Sequence, residues 1–288
     1  MSRNPIERDS LIERDARRRA IALLDPGTFR ELLDPFECLA SPWLPRQGIV
    51  TQADDGVVVA RGTLGGQPAV VLAIEGAFQG GSMGEVSGAK IAGALELAVE
   101  DNRRGTPTRA VIVFETGGVR LQEANLGLAA IADIHAAICA LRAYGPVIGI
   151  TAGVVGCFGG MSIAAGLCSY LLMTREARLG LNGPTVIEQE AGIDEYDSRD
   201  RPFIWSLTGG EQRVATGLAD VCVEDDAIVV RAQVLEWLRA GAPAHQRSER
   251  IDHYLACLAA VDTARQASAE DVRTLYASGA SGASGDRA

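Results

Sequence analysis

The sequence predicts an α/β protein whose sheet is largely parallel and covered by helices. Apolar runs of strand length alternate with segments of helical periodicity throughout residues 56–240. Twice, a glycine pair stands between such a run and the helix that follows it, at Gly117-Gly118 and at Gly159-Gly160. The 288 residues are 47% hydrophobic and 22% charged, which is typical of a globular protein that can bury a sizeable core.

The stretch SLIERDARRRAIALLDPG is predicted to form the first helix. Ser10 and Glu13 have the spacing of a capping box, and the Asp-Pro-Gly sequence of residues 25–27 ends the helical pattern. We interpret the consecutive arginines at positions 17–19 as a solvated helix face, with a contact to phosphate or to a partner as the alternative. Residues 1–50 are expected to comprise this N-terminal helical segment and a linker.

A β-hairpin is predicted next, because two apolar runs flank Gly65-Gly66 in GVVVARGTLGGQPAVVLAIEG. The glycine-rich loop FQGGSMGEVSG, residues 78–88, then leads into a second helix. The apolar residues that have helical spacing in this second helix are Ile91, Leu95, Ala98 and Val99.

The next two predicted strands each end near a glycine pair. The strand AVIVFE precedes Gly117-Gly118, and the strand PVIGITAG precedes Gly159-Gly160. The helix after the first pair ends at the Tyr-Gly-Pro sequence of residues 144–146, and small residues begin the helix after the second pair. The predicted apolar face of the first of these helices consists of Leu128, Ile131, Ile134, Ile138 and Leu141.

The last third of the chain continues the alternation. Strands are predicted for SYLLMT, for ARLGL and for the end of GGEQRVATGLADVCVEDD, which begins as a helix. NGPTVIEQEAG is predicted to be a loop and a short helix, and Asp225-Asp226 to cap the helix AIVVRAQVLEWLRAG. The small, polar and repetitive residues 276–288 are expected to form a disordered tail.

Charge and cysteine content exclude several classes of protein. The net charge of −10 argues against a nucleic-acid-binding surface. The six cysteines are scattered, without a C-x-x-C pair, so buried thiols in a reducing compartment are expected rather than disulfides or a metal site. The polar N-terminus is unlike a signal peptide, and the apolar runs are shorter than the ~18 residues that span a membrane. We therefore expect a cytoplasmic protein without metal, nucleic acid or membrane partners.

The two glycine pairs have two interpretations, as tight turns or as catalytic loops. Backbone N–H groups at the start of a helix have no partner within that helix, and glycine lacks the Cβ that would keep a substrate away. Donors that are fixed before the reaction stabilise a developing oxyanion. Because both pairs lie between a strand and a helix, together they favour an oxyanion-binding site.

Other catalytic motifs are missing from the sequence. It has neither a G-x-S-x-G nucleophile elbow nor a Walker A loop, and Gly80 to Gly84 lack the spacing of a dinucleotide fingerprint. The histidines, His135, His245 and His253, lie far from the glycine pairs in sequence, and a structural role is expected for His135. Catalysis by backbone donors suits a chain with so few candidate acids and bases.

Three segments in order, FQGGSMGEVSGAKI, ETGGVRLQEA and LNGPTVIEQEAG, resemble the carboxyltransferase branch of the crotonase-like (ClpP/crotonase) fold. That branch carries a G-G-S-M-G loop, an S-G-G-A-R-x-Q-E loop and a G-P-x-V-I-E-Q segment, and the resemblance covers residues 15–225. It implies an α/β fold of repeated ββα units with helices around the sheets. It also implies that residues 51–275 form one carboxyltransferase domain with C-terminal helices.

Within this branch the chain most resembles the beta subunits of malonate decarboxylases. It lacks the four-cysteine zinc ribbon usual in the beta subunit of bacterial acetyl-CoA carboxylase carboxyltransferase, and it is about half as long as fused carboxyltransferases. Because sites in this family form between two crotonase-like domains, the resemblance implies a gamma subunit as partner. The implied substrate is a malonyl thioester on an acyl carrier protein that bears a phosphoribosyl-dephospho-CoA arm. Decarboxylation through an enolate to the acetyl thioester would need no bound cofactor or metal.

The resemblance also implies roles for individual residues. The catalytic positions that it implies are Gly117, Gly118, Gly159 and Gly160. The chain departs from the usual pattern at Thr116, where Ser is common, and at Val119, where Ala is common. The implied positions for binding the substrate and its thioester arm are Gly80, Gly81, Ser82, Arg120, Gln122 and Glu123. For Arg120, an ion pair with Glu123 or Glu115 is an equally supported alternative.

Two other functions stay open from the sequence. A carboxyltransferase subunit that moves a carboxyl group between an acyl-CoA or acyl carrier protein and a biotin carrier has the same loops. A crotonase-like scaffold that only binds an acyl carrier and a partner would not use the glycine pairs for catalysis.

Overall fold

The computed structural model of the chain describes residues 8–48, 50, 56–123, 125–265 and 267–282. Within this part a single sheet of seven strands forms the centre, and the strands lie in the order in which they occur along the chain. The first three pair antiparallel, and every later pairing is parallel. The strands are β1 (Arg30–Leu32), β2 (Val57–Leu64), β3 (Gln67–Ile74), β4 (Arg109–Phe114), β5 (Val147–Thr151), β6 (Tyr170–Thr174) and β7 (Val221–Val223).

Helices cover both faces of this sheet, which confirms the predicted α/β class. On β4, Ile112 and Phe114 belong to one apolar cluster, and Val111 and Val113 belong to the cluster on the opposite face. The first cluster is closed by α2, α3 and α4, and the second by α1 and α8. The helices are α1 (Ala16–Leu23), α2 (Glu85–Arg103), α3 (Asn125–Leu141), α4 (Gly160–Leu167), α5 (Pro184–Ala191), α6 (Arg201–Thr208), α7 (Gly210–Ala215), α8 (Ala227–Ala240), α9 (Ile251–Ala259) and α10 (Ala269–Gly282).

The hairpin β2–β3 has the predicted turn. Gly65 and Gly66 both have positive φ, 57° and 79°, as a tight two-residue hairpin turn requires. Asp25, which follows α1, accepts hydrogen bonds from both glycine N–H groups. The N-terminal segment is therefore attached to the hairpin that begins the sheet.

The first helix begins later than the sequence predicted. Its N-cap is Asp15, whose side chain accepts the N–H of Arg18. Ser10 does accept the N–H of Glu13, but in a turn that precedes the helix. The Ser10 hydroxyl donates to Asp225, so this segment is held by a residue more than two hundred positions away, which local spacing does not reveal.

The arginines at positions 17–19 do not share one solvated face. Arg19 is buried and forms an ion pair with Glu115, the residue directly after β4. Arg17 pairs with Glu31, and Arg18 remains exposed. Solvation was therefore the wrong interpretation for Arg19, whose charge is compensated by a long-range partner.

Smaller corrections concern single residues. Leu128, predicted on the apolar face of α3, is 51% exposed, while Ile131, Ile134, Ile138 and Leu141 are buried. ARLGL forms isolated bridges at Arg178 and Leu179 rather than a strand. Asp226 caps α8, whereas Asp225 binds the N–H groups of Leu11 and Ile12.

The C-terminal end differs from the expected tail in one respect. Helix α10 continues to Gly282, inside the segment 276–288 that was predicted to be disordered. Residues 283–288 of that predicted tail, residues 1–7 of the predicted N-terminal segment and residues 51–55 of the predicted carboxyltransferase domain lie outside the described residues.

We predict that Cys168 makes the protein less stable at alkaline pH. Burial raises the pKa of its thiol from 9.0 to about 12, so between these values the unfolded chain loses a proton that the folded chain keeps. Since the unfolded state then binds fewer protons, stability falls by about 1.4 kcal/mol per pH unit as pH rises above 9.0. Urea unfolding of the parent chain and Cys168→Ala from pH 8 to 11 measures this difference.

The matched control is Cys38→Ala, because Cys38 is exposed. Its unfolding free energy should follow the parent chain at every pH, whereas Cys168→Ala should lose less stability between pH 9 and 11. If the unfolding free energies of all three proteins change with pH in parallel, the raised pKa of Cys168 does not cause the loss of stability.

Candidate active site

Loops beyond the carboxyl ends of the parallel strands are stacked on one another by short parallel bridges. Met83 bridges Val119, and Cys157 bridges both Thr116 and Leu179. Each bridge lies between a strand of the main sheet and the next helix, so it occupies the place of the second strand in a ββα unit. The bridges carry the glycine-rich loops of successive units to the same edge of the molecule.

The two glycine pairs meet at this edge. A Cβ at Gly118 would lie 3.3 Å from the Cα of Gly159, and a Cβ at Gly159 would lie 3.1 Å from the Cα of Gly118. Both residues have positive φ, 107° and 62°. Any other residue type would therefore be strained and would push the two backbones apart. The glycines at these positions are explained by a direct contact between turns that are forty residues apart.

The glycine-rich loop after β3 packs against the first pair. The N–H of Gly117 donates to the carbonyl of Gly80 at 2.9 Å, and a Cβ at Gly81 would lie only 1.9 Å from the carbonyl oxygen of Glu115. Gln79, which sequence reasoning did not identify, has a φ of 49°, in the left-handed region that favours glycine. Such strain in a loop beside a site is often functional.

Three of the four predicted catalytic N–H groups are used inside the protein. Gly117 donates to Gly80, Gly118 donates to the Oγ1 of Thr116 at 3.1 Å, and Gly159 donates to the carbonyl of Leu181 at 2.8 Å. These three therefore hold the turns in place.

The N–H groups without an intramolecular acceptor, here called open, belong to the residues that directly follow Gly118 and Gly159. Val119 and Gly160 donate to no acceptor within the described part of the chain. Each directly follows one of the two touching glycines, and Gly160 is the first residue of α4, where the helix dipole is positive. The geometry thus offers two adjacent donors for one oxyanion, one from each turn.

Arg120 and Glu123 form a buried ion pair behind the first turn, which is the alternative that the sequence left open for Arg120. Their Nη1 and Oε1 atoms are 2.9 Å apart, and their side chains are almost fully inaccessible to solvent. Arg120 also donates to the carbonyl and the hydroxyl of Ser82, at 2.6 Å and 3.1 Å. Glu123 accepts the N–H of Glu85, the first residue of α2. The pair ties the first turn to the glycine-rich loop and to α2.

A cavity beside the first turn, here the Gln79 cavity, has a volume of about 530 Å³. It is lined by Gln79, Ser82, Val119, Arg120, Leu121 and Gln122. Gln122 is exposed, and Leu121 is 81% exposed. Of the predicted binding residues, Ser82, Arg120 and Gln122 line this cavity, whereas Glu123 lies behind it.

The titratable groups near the turns are structural. Burial raises the pKa of the Cys157 thiol well above its usual value, so this cysteine is no thiolate nucleophile. The Nε2 of His135 lies 2.8 Å from the carbonyl of Gly160, where it orients the start of α4. His253 packs against the rings of Tyr254 and Tyr276.

Two further properties concern metal sites and membrane-spanning helices among the described residues. They contain no group of three or more His, Cys, Asp or Glu side chains that could hold a metal ion. None of their helices has both the length and the apolar composition that crossing a membrane requires.

Comparisons with known proteins agree with the sequence motifs. Residues 13–271 match the carboxyl transferase domain family. Malonyl-S-ACP:biotin-protein carboxyltransferase MADC of Malonomonas rubra is 43% identical over 218 residues, which are 72% of this chain and 69% of that protein.

Two solved structures are more similar still. A chain of a Pseudomonas malonate decarboxylase hetero-tetramer, in complex with malonate, is 70% identical, with a TM-score of 0.92 over 94% of this chain and 98% of that one. A chain of the Pseudomonas malonate decarboxylase MdcD-MdcE hetero-dimer is 62% identical, with a TM-score of 0.76 over 90% of this chain and all of that one.

We predict that the ion pair behind the first turn is essential for stability. Arg120→Met leaves the Glu123 carboxylate buried without its partner, which should destabilise the chain by about 3–5 kcal/mol. Gln122→Ala, two positions away and exposed, should change the unfolding free energy by less than about 0.5 kcal/mol. Chemical denaturation measures both, and equal stability of the two variants would contradict the structural role of Arg120.

Proposed function

The chain belongs to the carboxyl transferase domain family, and from this we propose that it acts as the beta-type subunit of a malonate decarboxylase. Its fold is the crotonase-like fold that the motifs predicted. In the proposed reaction a malonyl thioester on an acyl carrier protein loses CO2 and becomes the acetyl thioester. The main observation in support of the proposal is that the N–H groups of Val119 and Gly160 are open at the contact of the two glycine turns.

The chemistry explains why backbone donors suffice. When the bond between the α-carbon and the carboxylate breaks, its electron pair moves into the thioester and places negative charge on the carbonyl oxygen. Two N–H groups that the fold holds beside this oxygen would stabilise the enolate without reorganisation. A proton is then added at the α-carbon. Since the thioester takes up the electron pair, the reaction needs no metal or redox cofactor.

The Gln79 cavity supports a place for the substrate arm. It begins at Val119 and is bounded by exposed Leu121 and Gln122, so an extended arm can run along it and place its thioester at the turn. We propose that this arm is the phosphoribosyl-dephospho-CoA group of the acyl carrier protein. Gly80 and Gly81 then form the base of the binding site, and the ion pair of Arg120 and Glu123 fixes the position of their loop.

The site on this chain is open, which supports a role for a second subunit. The similar solved chains come from a hetero-tetramer and a hetero-dimer. We propose a gamma subunit with a second crotonase-like domain as the partner that covers the turns and excludes water. The cytoplasm is the compartment that we propose, because all six cysteines are free thiols.

A second candidate function has an observation in its favour. The Malonomonas rubra relative is named as a carboxyltransferase that acts between malonyl-S-ACP and a biotin protein. The same two donors would stabilise the same enolate if CO2 passed to biotin instead of being released. The two functions differ in whether turnover requires a biotinylated carrier.

We predict that the chain, with its gamma-type partner and a malonyl-loaded acyl carrier, releases CO2 in the absence of biotin. The isolated chain should be much less active, because its turns stay open to water. Release of labelled CO2 with and without a biotinylated carrier measures the distinction. Turnover that occurs only with the biotin carrier would reassign the chain to the carboxyltransferase reaction.

We predict that Gly159→Val lowers kcat of the complex by about a hundredfold or more. The new side chain would force apart the turns that carry the Val119 and Gly160 N–H groups, and losing one oxyanion donor costs about that factor. The matched control is Gly93→Ala in α2, where a Cβ also meets no atom within 4 Å. A folded Gly159→Val complex with full activity would leave only a scaffold role for this chain.

A further inference from the structure

A second cavity, here the Arg213 cavity, lies beside the second glycine turn. Its volume is about 380 Å³, and its walls come from α4, residues 179–181, α7 and the segment that leads into α9. The walls are largely apolar, and the aliphatic side chains that form them are Ile163, Leu167, Leu179, Leu181 and Leu218.

The cavity adjoins the second glycine turn through hydrogen bonds. Two of its lining residues bind Gly159: the Ser162 hydroxyl donates to the Gly159 carbonyl at 2.7 Å, and the Leu181 carbonyl accepts the Gly159 N–H at 2.8 Å. The open N–H of Gly160 follows immediately. The Gln79 cavity adjoins the first turn and the Arg213 cavity adjoins the second, so a cavity lies next to the turn of each donor.

Arginines surround the Arg213 cavity. Arg213 and Arg247 line it, and Arg142 donates to the lining residue Ser248 at 3.1 Å. Arg250 lies with its guanidinium carbon 5.5 Å from the ring centre of the lining residue Tyr254. In a chain of net charge −10, four arginines around one cavity are a local excess of positive charge.

Most of this positive charge has no carboxylate near it. Arg247 pairs with Asp220, but no described carboxylate lies within 4.0 Å of the guanidinium nitrogens of Arg142, Arg213 or Arg250. Arg213 is held by one hydrogen bond, from its Nε to the carbonyl of Leu179 at 2.8 Å. Desolvation by burial lowers the pKa of Arg213, which is the sign of a cation taken from water without a counter-ion.

We propose that the Arg213 cavity receives the free carboxylate of the malonyl group, with Arg213 as its cation, while the thioester oxygen lies at the N–H groups of Val119 and Gly160. This inference rests on the proposed function. The arm then occupies the Gln79 cavity, and the acyl end occupies the Arg213 cavity.

One site can thus bind the malonyl group of the substrate and release the acetyl group of the product. The malonyl group carries a carboxylate that Arg213 binds by charge-assisted hydrogen bonds. The acetyl group has no such carboxylate, so the contact disappears when CO2 leaves. Arg213 is therefore the residue that determines specificity for malonyl over acetyl.

The test measures equilibrium binding of free malonate and of acetate to the complex of this chain and its partner, by titration calorimetry. Malonate has no thioester and can place one carboxylate at the donor pair and the other at Arg213, whereas acetate can occupy only one position. Arg213→Met should weaken malonate binding by about tenfold to a hundredfold and leave acetate binding unchanged. Arg239→Met, an exposed arginine on α8, is the control and should bind malonate like the parent.

A second pair of variants does not depend on the structural hydrogen bond of Arg213. Leu181 lines the cavity and is 62% exposed, so Leu181→Glu should fold. Its carboxylate would occupy or repel the anion site, and malonate binding should fall by at least tenfold. Leu181→Gln has nearly the same shape without the charge, and it should retain malonate binding within about threefold of the parent.

Unchanged malonate affinity in a folded Arg213→Met complex, or equal affinities for Leu181→Glu and Leu181→Gln, would overturn the proposal. The proposal would also be overturned if Arg213→Met weakened association with the partner but left malonate binding unchanged. The counter-ion of Arg213 would then be a carboxylate of the partner. If malonate binding depends on Arg213 but the complex releases no CO2 from malonyl thioester, the proposed function fails and the carboxylate site stands.

Discussion

The contact between Gly118 and Gly159 is the constraint on which the rest of the structure depends. Two backbones that approach this closely leave no room for a Cβ on either side, and both residues have the positive φ that glycine tolerates. The contact brings the end of one ββα unit against the start of the helix in the next. It therefore places the open N–H groups of Val119 and Gly160 together, although they come from different loops.

Buried charges hold the loops on which this contact relies. Glu115 forms an ion pair with Arg19. The Glu115 carboxylate also packs so closely against Gly76, beyond β3, and Gly153, beyond β5, that a Cβ on either glycine would clash with it. The pair of Arg120 and Glu123 connects the first turn to α2. Charges buried in this way are stabilising only while both partners are present. Movement of the loops that form the site would therefore break several polar contacts together.

The sequence predicted most of the regular structure. Apolar runs and helical spacing sufficed for the hairpin, the parallel strands and α2, because these signals are local. The motifs located the two glycine pairs. Which N–H groups are free could not be predicted, because Gly117, Gly118 and Gly159 donate to atoms that only the folded loops bring near. Arg19 and Arg213 were missed for the same reason, since the environment of each is formed by distant segments.

The central claim is that Val119 and Gly160 together bind the thioester oxygen. The most direct measurement is a crystal structure of the complex with a malonyl thioester analogue that cannot lose CO2. We expect the carbonyl oxygen to lie about 2.7–3.2 Å from both backbone nitrogens. An oxygen that contacts neither nitrogen, or that is bound by Gly117 and Gly118 after they release Gly80 and Thr116, would contradict it.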